Sequence, residues 1–255
     1  MSKITKKLVE IIRAEEIASD IFSLWIKDEE IVKDAKPGQF LSVYCKDGSR
    51  LLPRPISICE INKEDYTLRI VYRVVGKGTE EMSKYKAGDF VGIMGPLGNG
   101  FMPEGTKALL IGGGIGIPPM LQLAKELNCE KQIVLGYRDE LFLNKEFEDF
   151  GSVYLSTEDG SAGVKGNVID AITENNIDAD IIFACGPTPM LKGVKEYAQK
   201  NGITAQLSLE ERMACGIGAC LACVCQSKEK DHHTNVNNKR VCKDGPVFYA
   251  GEVEL

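Results

Sequence analysis

Through the first hundred residues, apolar positions recur in short alternating runs separated by turn signals. Ile21, Leu24 and Ile26 fall in one candidate strand, Phe40, Leu41, Val43 and Tyr44 follow Pro37-Gly38, and Tyr66 to Val75 contains the alternating run TLRIVYRVV. Period-two runs punctuated by KPG, KDG, KAGD and GPLGNG predict an antiparallel barrel or sandwich. One helical turn is predicted to interrupt it, with Thr79 as N-cap of EEMSKY.

The period changes after Gly105. Lys107 to Ile111 is a short apolar run that meets Gly112-Gly113-Gly114-Ile115-Gly116, and Pro118 opens a helical pattern through PMLQLAKEL. The strands QIVLGY, VYLS and ADIIFAC and the helices NVIDAITENN and PMLKGVKEYAQKNG follow. Strands alternating with helices predict a doubly wound parallel sheet covered on both faces. From about Leu209 onward no comparable period is present, and SKEKDHHTNVNNK, residues 227–239, is the one low-complexity tract. The expected division is a β-barrel at 1–103, an α/β domain at 104–208 and a small cysteine-bearing domain at 209–255.

Composition narrows the class without naming it. The 255 residues include 31 Lys plus Arg against 37 Asp plus Glu, a net charge of −6, so the basic face that phosphate neutralisation needs is missing and a general nucleic-acid binder is disfavoured. No run approaches the ~18 apolar residues of a membrane span, and the start, MSKITKKLVEIIRAEE, carries charge instead of an apolar signal core. A cytoplasmic location is the expectation. Nine cysteines, an odd number with four of them within residues 215–225, argue for a local metal site in a reducing compartment over a disulfide framework.

The strongest motif is Cys215-Gly-Ile-Gly-Ala-Cys220-Leu-Ala-Cys223, with a fourth candidate at Cys242. A C-x4-C-x2-C run with a distant fourth Cys is the spacing of plant-type [2Fe-2S] sites, in which three thiolates of a tight loop converge and the fourth closes the far iron. Gly216 and Gly218 suit a loop of unusual dihedrals that presents amides to sulfur. A structural zinc site or coincidental core cysteines are the alternatives, although zinc favours paired C-x2-C knuckles. Cys225, separated from Cys223 by a single residue, competes as a ligand.

Other signals are weaker singly. IGGGIGIPPM departs from G-x-G-x-x-G, because Ile117 stands where the third glycine belongs, yet it lies between a predicted strand and helix, where a diphosphate can approach backbone amides. Its bland reading is a tight turn. Cys185-Gly186-Pro187 ends another strand, at the edge where open α/β sheets bind ligands, although a lone Cys there is more often a packed residue. In the barrel half, Arg54-Pro55-Ile56-Ser57 supplies a donor fork suited to a diphosphate and a hydroxyl suited to a ring nitrogen, followed by Val71-Tyr72-Arg73 and Gly78-Thr79.

Taken in this order, these motifs resemble the ferredoxin–NADP reductase-like flavoproteins, and with LEERMACGIGACLACVC the chain resembles, over essentially its whole length, the electron-transfer subunits of class 1B dihydroorotate dehydrogenases. The resemblance implies that Arg54, Pro55, Ile56, Ser57, Val71, Tyr72, Arg73, Gly78 and Thr79 bind FAD. It implies that Gly112, Gly113, Gly114, Ile115, Gly116, Cys185, Gly186 and Pro187 contact NAD, and that Cys215, Cys220, Cys223 and Cys242 hold a [2Fe-2S] cluster. Cys185 is then a cofactor contact and no covalent nucleophile. Ile56 stands where many superfamily members carry an aromatic residue, and the polar insert before Cys242 lengthens the interval to the fourth ligand.

The chemistry of the implied cofactors is coherent. Nicotinamide exchanges two electrons at once and a [2Fe-2S] cluster one, so a carrier with three stable oxidation states must join them, and a flavin is such a carrier. Only two histidines occur, His232 and His233, adjacent in the polar insert and expected to be solvated, and neither a G-x-S-x-G nor an H-E-x-x-H motif is found. The organic substrate is therefore expected on a partner. The resemblance implies an FMN-containing barrel that oxidises dihydroorotate to orotate, with electrons passing through the cluster and FAD to NAD⁺, in a heterotetramer of two subunits of each kind serving de novo pyrimidine synthesis. The cysteine segment is expected to form much of the docking surface. Acidic residues in Arg138-Asp139-Glu140 and Glu158-Asp159 favour NAD over NADP, while Arg138 opposes. Two other readings remain: the small subunit of a related NADH-dependent ferredoxin:NADP⁺ or sulfide oxidoreductase, and a non-enzymatic binding module built on zinc.

Overall fold

The computed structural model describes residues 5–230 and 235–255, so His232 and His233 lie outside the described residues. The first part is β1 (Lys7–Ala18), β2 (Ile21–Lys27), the short helix α1 (Glu29–Asp34), β3 (Phe40–Tyr44), β4 (Arg54–Asn62), β5 (Thr67–Arg73), the short helix α2 (Lys77–Met82) and β6 (Phe90–Leu97). The six strands close into a barrel in the order β1-β2-β5-β4-β3-β6, with every neighbouring pair antiparallel. Alternation in β5 explains the closure: Leu68, Ile70 and Tyr72 fill the barrel with Leu24, Leu41, Val43 and Ile93, while Val71 joins a second core outside the wall.

Two barrel features differ from the sequence pattern. β1, a twelve-residue strand, is hidden in the sequence by the many charged residues on its exposed face. The N-cap of α2 is Gly76, and Thr79 is its third residue. The Thr79 hydroxyl accepts from the Val75 and Gly76 amides at 2.9 and 3.2 Å and donates to the Gly76 carbonyl at 3.0 Å, so it satisfies the chain entering the helix instead of capping it from in front.

The second part comprises β7 (Lys107–Gly113), α3 (Pro118–Glu126), β8 (Glu130–Tyr137), β9 (Ser152–Thr157), β10 (Val164–Lys165), α4 (Val168–Glu174), β11 (Ile181–Cys185), α5 (Thr188–Asn201) and β12 (Thr204–Ser208). Prolines occupy the first turns of α3 and α5, where a missing N–H costs nothing. Asn167 caps α4 by accepting from the Ile169 amide at 2.8 Å, while Asp170 accepts from the Asn167 amide at 2.8 Å. The sheet runs β10-β9-β8-β7-β11-β12, parallel throughout. One face is covered by α3, through Met120, Leu121 and Leu123, and the other by α4 and α5, through Ile172, Leu191 and Val194.

The remaining strands are a hairpin of β13 (Val224–Gln226) and β14 (Asn238–Arg240), and β15 (Val247–Tyr249), which pairs antiparallel with β12 as a seventh strand of the sheet. Phe40, Met94 and Leu97 on the outer wall of the barrel share one core with Cys223, Val241, Cys242 and Phe248 and with Leu109 and Ile111 of the sheet. The tail thereby fills the wedge between barrel and sheet, with each fully buried Phe or Leu contributing roughly 1.5–3 kcal/mol. Asn99 fastens this junction through its side-chain amide to the Lys243 and Asp244 carbonyls, both at 3.1 Å. No helix among the described residues is long and apolar enough to cross a membrane.

Candidate functional site

Three groups of residues meet around the barrel wall. The first is the cysteine loop. Gly216 and Gly218 adopt φ of 70° and 79°, a region costly for a residue with a Cβ, and so the loop curls back on its own sulfurs. Cys215 Sγ lies 3.3 Å from Cys220 Sγ and accepts from the Cys220 amide at 3.4 Å. Cys242 Sγ accepts from the Gly218 amide at 3.2 Å, and Cys223 Sγ from the Cys242 amide at 3.4 Å.

Burial opposes ionisation of Cys215, but the amides of Ile217, Cys220 and Ala219 and the Cys220 thiol outweigh it and bring the group down to about 6. Burial and the neighbouring Cys223 sulfur raise Cys242. Arg240, unnoticed in the sequence, donates through Nη1 to the Gly218 carbonyl at 2.9 Å and pins the loop.

The thiols stand two and two, Cys215 beside Cys220 and Cys223 beside Cys242, not three and one. Among the described residues no three Cys, His, Asp or Glu side chains are set to hold one metal ion. A single tetrahedral zinc needs its donors around one point, whereas two irons bridged by sulfide take a thiolate pair each. The donor set, the amides aimed at sulfur and the pairing therefore fit a [2Fe-2S] group. Cys225, on β13, is partly buried against the core that contains Cys223 and Cys242.

The second group is the segment expected to bind flavin, the flavin segment. Arg54, Pro55, Ile56 and Ser57 open β4 and are all half-buried. A Cβ on Gly78 would come within 1.9 Å of Arg54 Nε and 2.2 Å of its Cζ, so the guanidinium lies flat on the glycine at the head of α2. Nη1 donates to the Leu52 carbonyl at 2.6 Å, leaving the rest of the fork without a protein partner among the described residues. Val71 packs outward, Tyr72 fills the barrel beside Phe22 with its buried hydroxyl unpartnered, and Arg73 is exposed. The free donor fork of Arg54 fits an anionic ligand such as FAD, whereas the Tyr72 hydroxyl faces the barrel interior. Gly78→Ala is expected to leave the melting temperature unchanged, because only the end of a flexible side chain must move, while FAD retention during dialysis drops roughly tenfold through loss of one charge-assisted contact. Unchanged flavin content would remove Arg54 from the site.

The third group is the pair of strand-end loops. Cys185 lies opposite Gly112 in register, and a Cβ on Gly116 would come within 2.4 Å of the Cys185 carbonyl oxygen and 2.6 Å of the Gly186 nitrogen. A Cβ on Gly113 would meet Met190 Sδ at 2.3 Å and Pro187 Cδ at 3.3 Å. Gly114 instead has open space and a φ of 52°, so there the turn itself demands glycine. Ile115 lies between them on the short 3-10 turn. Burial pushes the Cys185 thiol up to about 12, although Ser208 pulls it down, so the group stays a neutral thiol and no nucleophile.

Arg73, Gly114, Arg138, Asp139 and Glu140 line one cleft of about 390 Å³ between barrel and sheet, a meeting that the sequence did not reveal. Glu140 accepts from the Ser19 amide at 3.0 Å across it.

The groups adjoin through β3. Ser42 is opposite Pro55 of the flavin segment in register, and a Cβ on Gly216 would lie 2.8 Å from its Oγ, a buried hydroxyl with no hydrogen-bond partner. One strand thus separates cysteine loop and flavin segment.

Residues 210–254 match the family model of the iron-sulfur cluster binding domain of dihydroorotate dehydrogenase B. The chain is 44% identical over 254 residues to the dihydroorotate dehydrogenase B (NAD(+)) electron transfer subunit of Fusobacterium nucleatum, covering 94% of this chain and 95% of that one. It is 43% identical to the subunit of the same name from Caldanaerobacter subterraneus, covering 97% and 98%. Among solved structures, that of an NADH-dependent reduced ferredoxin-NADP oxidoreductase superposes with a TM-score of 0.83 at 32% identity, covering 100% of this chain and 91% of that one. A ferredoxin reductase of a carbazole 1,9a-dioxygenase shares the fold alone, with a TM-score of 0.67 at 20% identity. With end-to-end identity of this order, the chain belongs to the family of dihydroorotate dehydrogenase B (NAD(+)) electron transfer subunits.

Proposed function

We propose that the chain carries electrons between a dihydroorotate-oxidising catalytic subunit and NAD⁺, holding FAD on its barrel, NAD at the strand-end loops and a [2Fe-2S] cluster on its cysteine loop. The observation that carries this reading is the shared strand β3, with the cysteine loop resting on Ser42 and the flavin segment pairing beside it. Bound there, FAD joins two-electron exchange with nicotinamide to one-electron exchange with the cluster.

The chain's own residues hold and orient. Arg54 offers its fork to the diphosphate over Gly78, the Gly112–Gly116 turn and the Cys185-Gly186-Pro187 turn form the nicotinamide nucleotide's floor, and Cys215, Cys220, Cys223 and Cys242 supply thiolates. No general acid or base is needed, because substrate chemistry belongs to the partner. The same reading divides the chain into flavin, nucleotide and cluster parts at 1–103, 104–208 and 209–255. It makes the complex a cytoplasmic heterotetramer of two FMN-containing catalytic subunits and two electron-transfer subunits, in the pathway to UMP. Ile217 and Leu221, exposed apolar residues of the cysteine loop, suit it for the docking face.

A second reading, a subunit of an NADH-dependent ferredoxin:NADP⁺ oxidoreductase, is favoured by the superposition with that enzyme. The test is an anaerobic absorbance spectrum of the purified chain, with iron, sulfide and flavin quantified. One FAD, two irons and two sulfides per chain are expected, bleached by NADH faster than by NADPH because Asp139 and Glu140 in the cleft repel a 2′-phosphate. Dihydroorotate should then reduce NAD⁺ once a dihydroorotate dehydrogenase catalytic subunit is added. Coupling to ferredoxin alone would favour the second reading, and zinc without flavin would refute both.

A further inference from the structure

The barrel and the sheet are joined by a buried polar seam that none of the cofactor-binding residues explains. β4 and β5 slip register between Ile58 and Glu60, with Ile58 opposite Ile70 but Glu60 opposite Arg69. The extra residue is a bulge, and a bulge re-aims side chains. Ile58 and Ile61 pack on the barrel interior, whereas Cys59 joins the outer core and Glu60 also turns to the outer wall, where α3 lies.

There Glu60 is buried and shared. Its Oε2 accepts from Arg69 Nη1 at 2.7 Å and its Oε1 from Lys125 of α3. Arg69, whose side chain is 6% exposed, also donates to Ser23 Oγ at 2.8 Å and to Glu146 at 2.7 Å, and its guanidinium lies 5.5 Å from the Trp25 ring centroid. One residue further along β4, the Ile61 amide donates to Gln122 Oε1 of α3 at 2.7 Å.

The two elements held together here are those that carry the two nucleotide sites. β4 begins with Arg54-Pro55-Ile56-Ser57, and α3 begins immediately after the Gly112–Gly116 turn. A seam made only of apolar contacts could slide; the buried Glu60–Arg69 pair, completed at its part-exposed edge by Lys125 and Glu146, favours one register. We propose that Glu60 is a positioning residue of the electron-transfer reaction, clamping α3 to β4 through Lys125 and Arg69 so that the nicotinamide loop is held in reach of the flavin segment. The proposal rests on the functional reading above. The step it serves is balanced: reduced FAD gives two electrons and a proton to NAD⁺, forming NADH, and bleaching by NADH runs that same step in reverse, NADH giving its two electrons and proton to oxidised FAD.

Glu60→Gln keeps the shape and removes the charge, and Lys125→Met removes only the α3 partner while retaining the stem. Each would be made in the full chain, purified anaerobically, and compared with the wild type for FAD content, NADH affinity, the rate of flavin bleaching at saturating NADH, and hydrogen exchange at the Ile61 amide. In both variants FAD content and NADH affinity should be preserved, the Ile61 amide should exchange faster, and bleaching at saturation should slow roughly 10- to 100-fold, as expected for a misplacement of about 1 Å. A loosened Ile61 amide with unchanged bleaching would overturn the proposal, since the seam would then be structural only. Lost FAD or weakened NADH binding with an unchanged saturating rate would overturn it too. If Glu60→Gln does not fold, Lys125→Met decides by the same criteria. A wild-type chain whose flavin NADH does not bleach would instead sink the functional reading, before any variant is compared.

Discussion

Replacing Cys220 with serine is expected to abolish dihydroorotate-dependent NAD⁺ reduction by the complex while leaving FAD bound. Serine keeps the size of the side chain but not the soft thiolate that iron requires, and its hydroxyl does not ionise near neutrality. Cys220 is the partner of Cys215, 3.3 Å away, and its amide also donates to the Cys215 sulfur, so the loss strips one of the two thiol pairs. The flavin segment lies across β3 on a separate set of contacts, with Arg54 over Gly78, and is untouched. Iron and sulfide content should fall, flavin content and NADH-driven bleaching should persist, and coupled turnover should drop to background. Retention of coupled turnover would exclude Cys220 as a ligand.

The second large effect is expected at Gly116. An alanine Cβ there would lie 2.4 Å from the Cys185 carbonyl oxygen, 2.5 Å from its carbon and 2.6 Å from the Gly186 nitrogen. These are backbone atoms at the end of a central strand, with β7 on one side and β12 on the other, and they cannot swing aside as a side chain does. Gly116→Ala must therefore part the two turns proposed to form the nicotinamide floor. Overpacking of this kind costs about 1–3 kcal/mol, and the displaced floor should slow NADH-driven flavin bleaching on the order of 100-fold. Gly48→Ala is the matched control, since no atom lies within 4 Å of its Cβ position, and it should change neither quantity. Equal bleaching rates in Gly116→Ala and wild type would mean that the nucleotide binds elsewhere.

The two predictions differ in how far the sequence could have supplied them. Cys220 stands in a spacing that the sequence displays, and only its partner had to be found in the fold. Gly116 is one of four glycines in a five-residue run, and its neighbour in space is sixty-nine residues away in sequence. The structure separates the glycines by what each does: Gly114 serves the turn, Gly113 makes room for Met190, and Gly116 lets two loops meet.

Local chemistry was legible from the sequence because it depends on neighbours along the chain. The alternation in TLRIVYRVV specified a strand with one face inside, the prolines and Asn167 marked helix starts, and C-x4-C-x2-C marked a cluster loop. The switch from a period of two to strand–helix alternation separated the barrel from the sheet. The sequence thus determined the fold class, the order of the parts and the kinds of cofactor chemistry, since propensity, turn chemistry and ligand spacing are short-range properties.

What only the tertiary structure decided is how those parts face one another. The bulge that turns Glu60 to the outer wall, the addition of Val247–Tyr249 to the nucleotide sheet, the two-and-two pairing of the thiols and the cleft that brings Arg73 to Arg138 all depend on register between segments far apart in sequence. Register is set by packing two faces together, and a one-residue slip that leaves every local pattern intact reverses which side chains meet. The distances between cofactor sites, and hence the rate of electron flow, lie at that level.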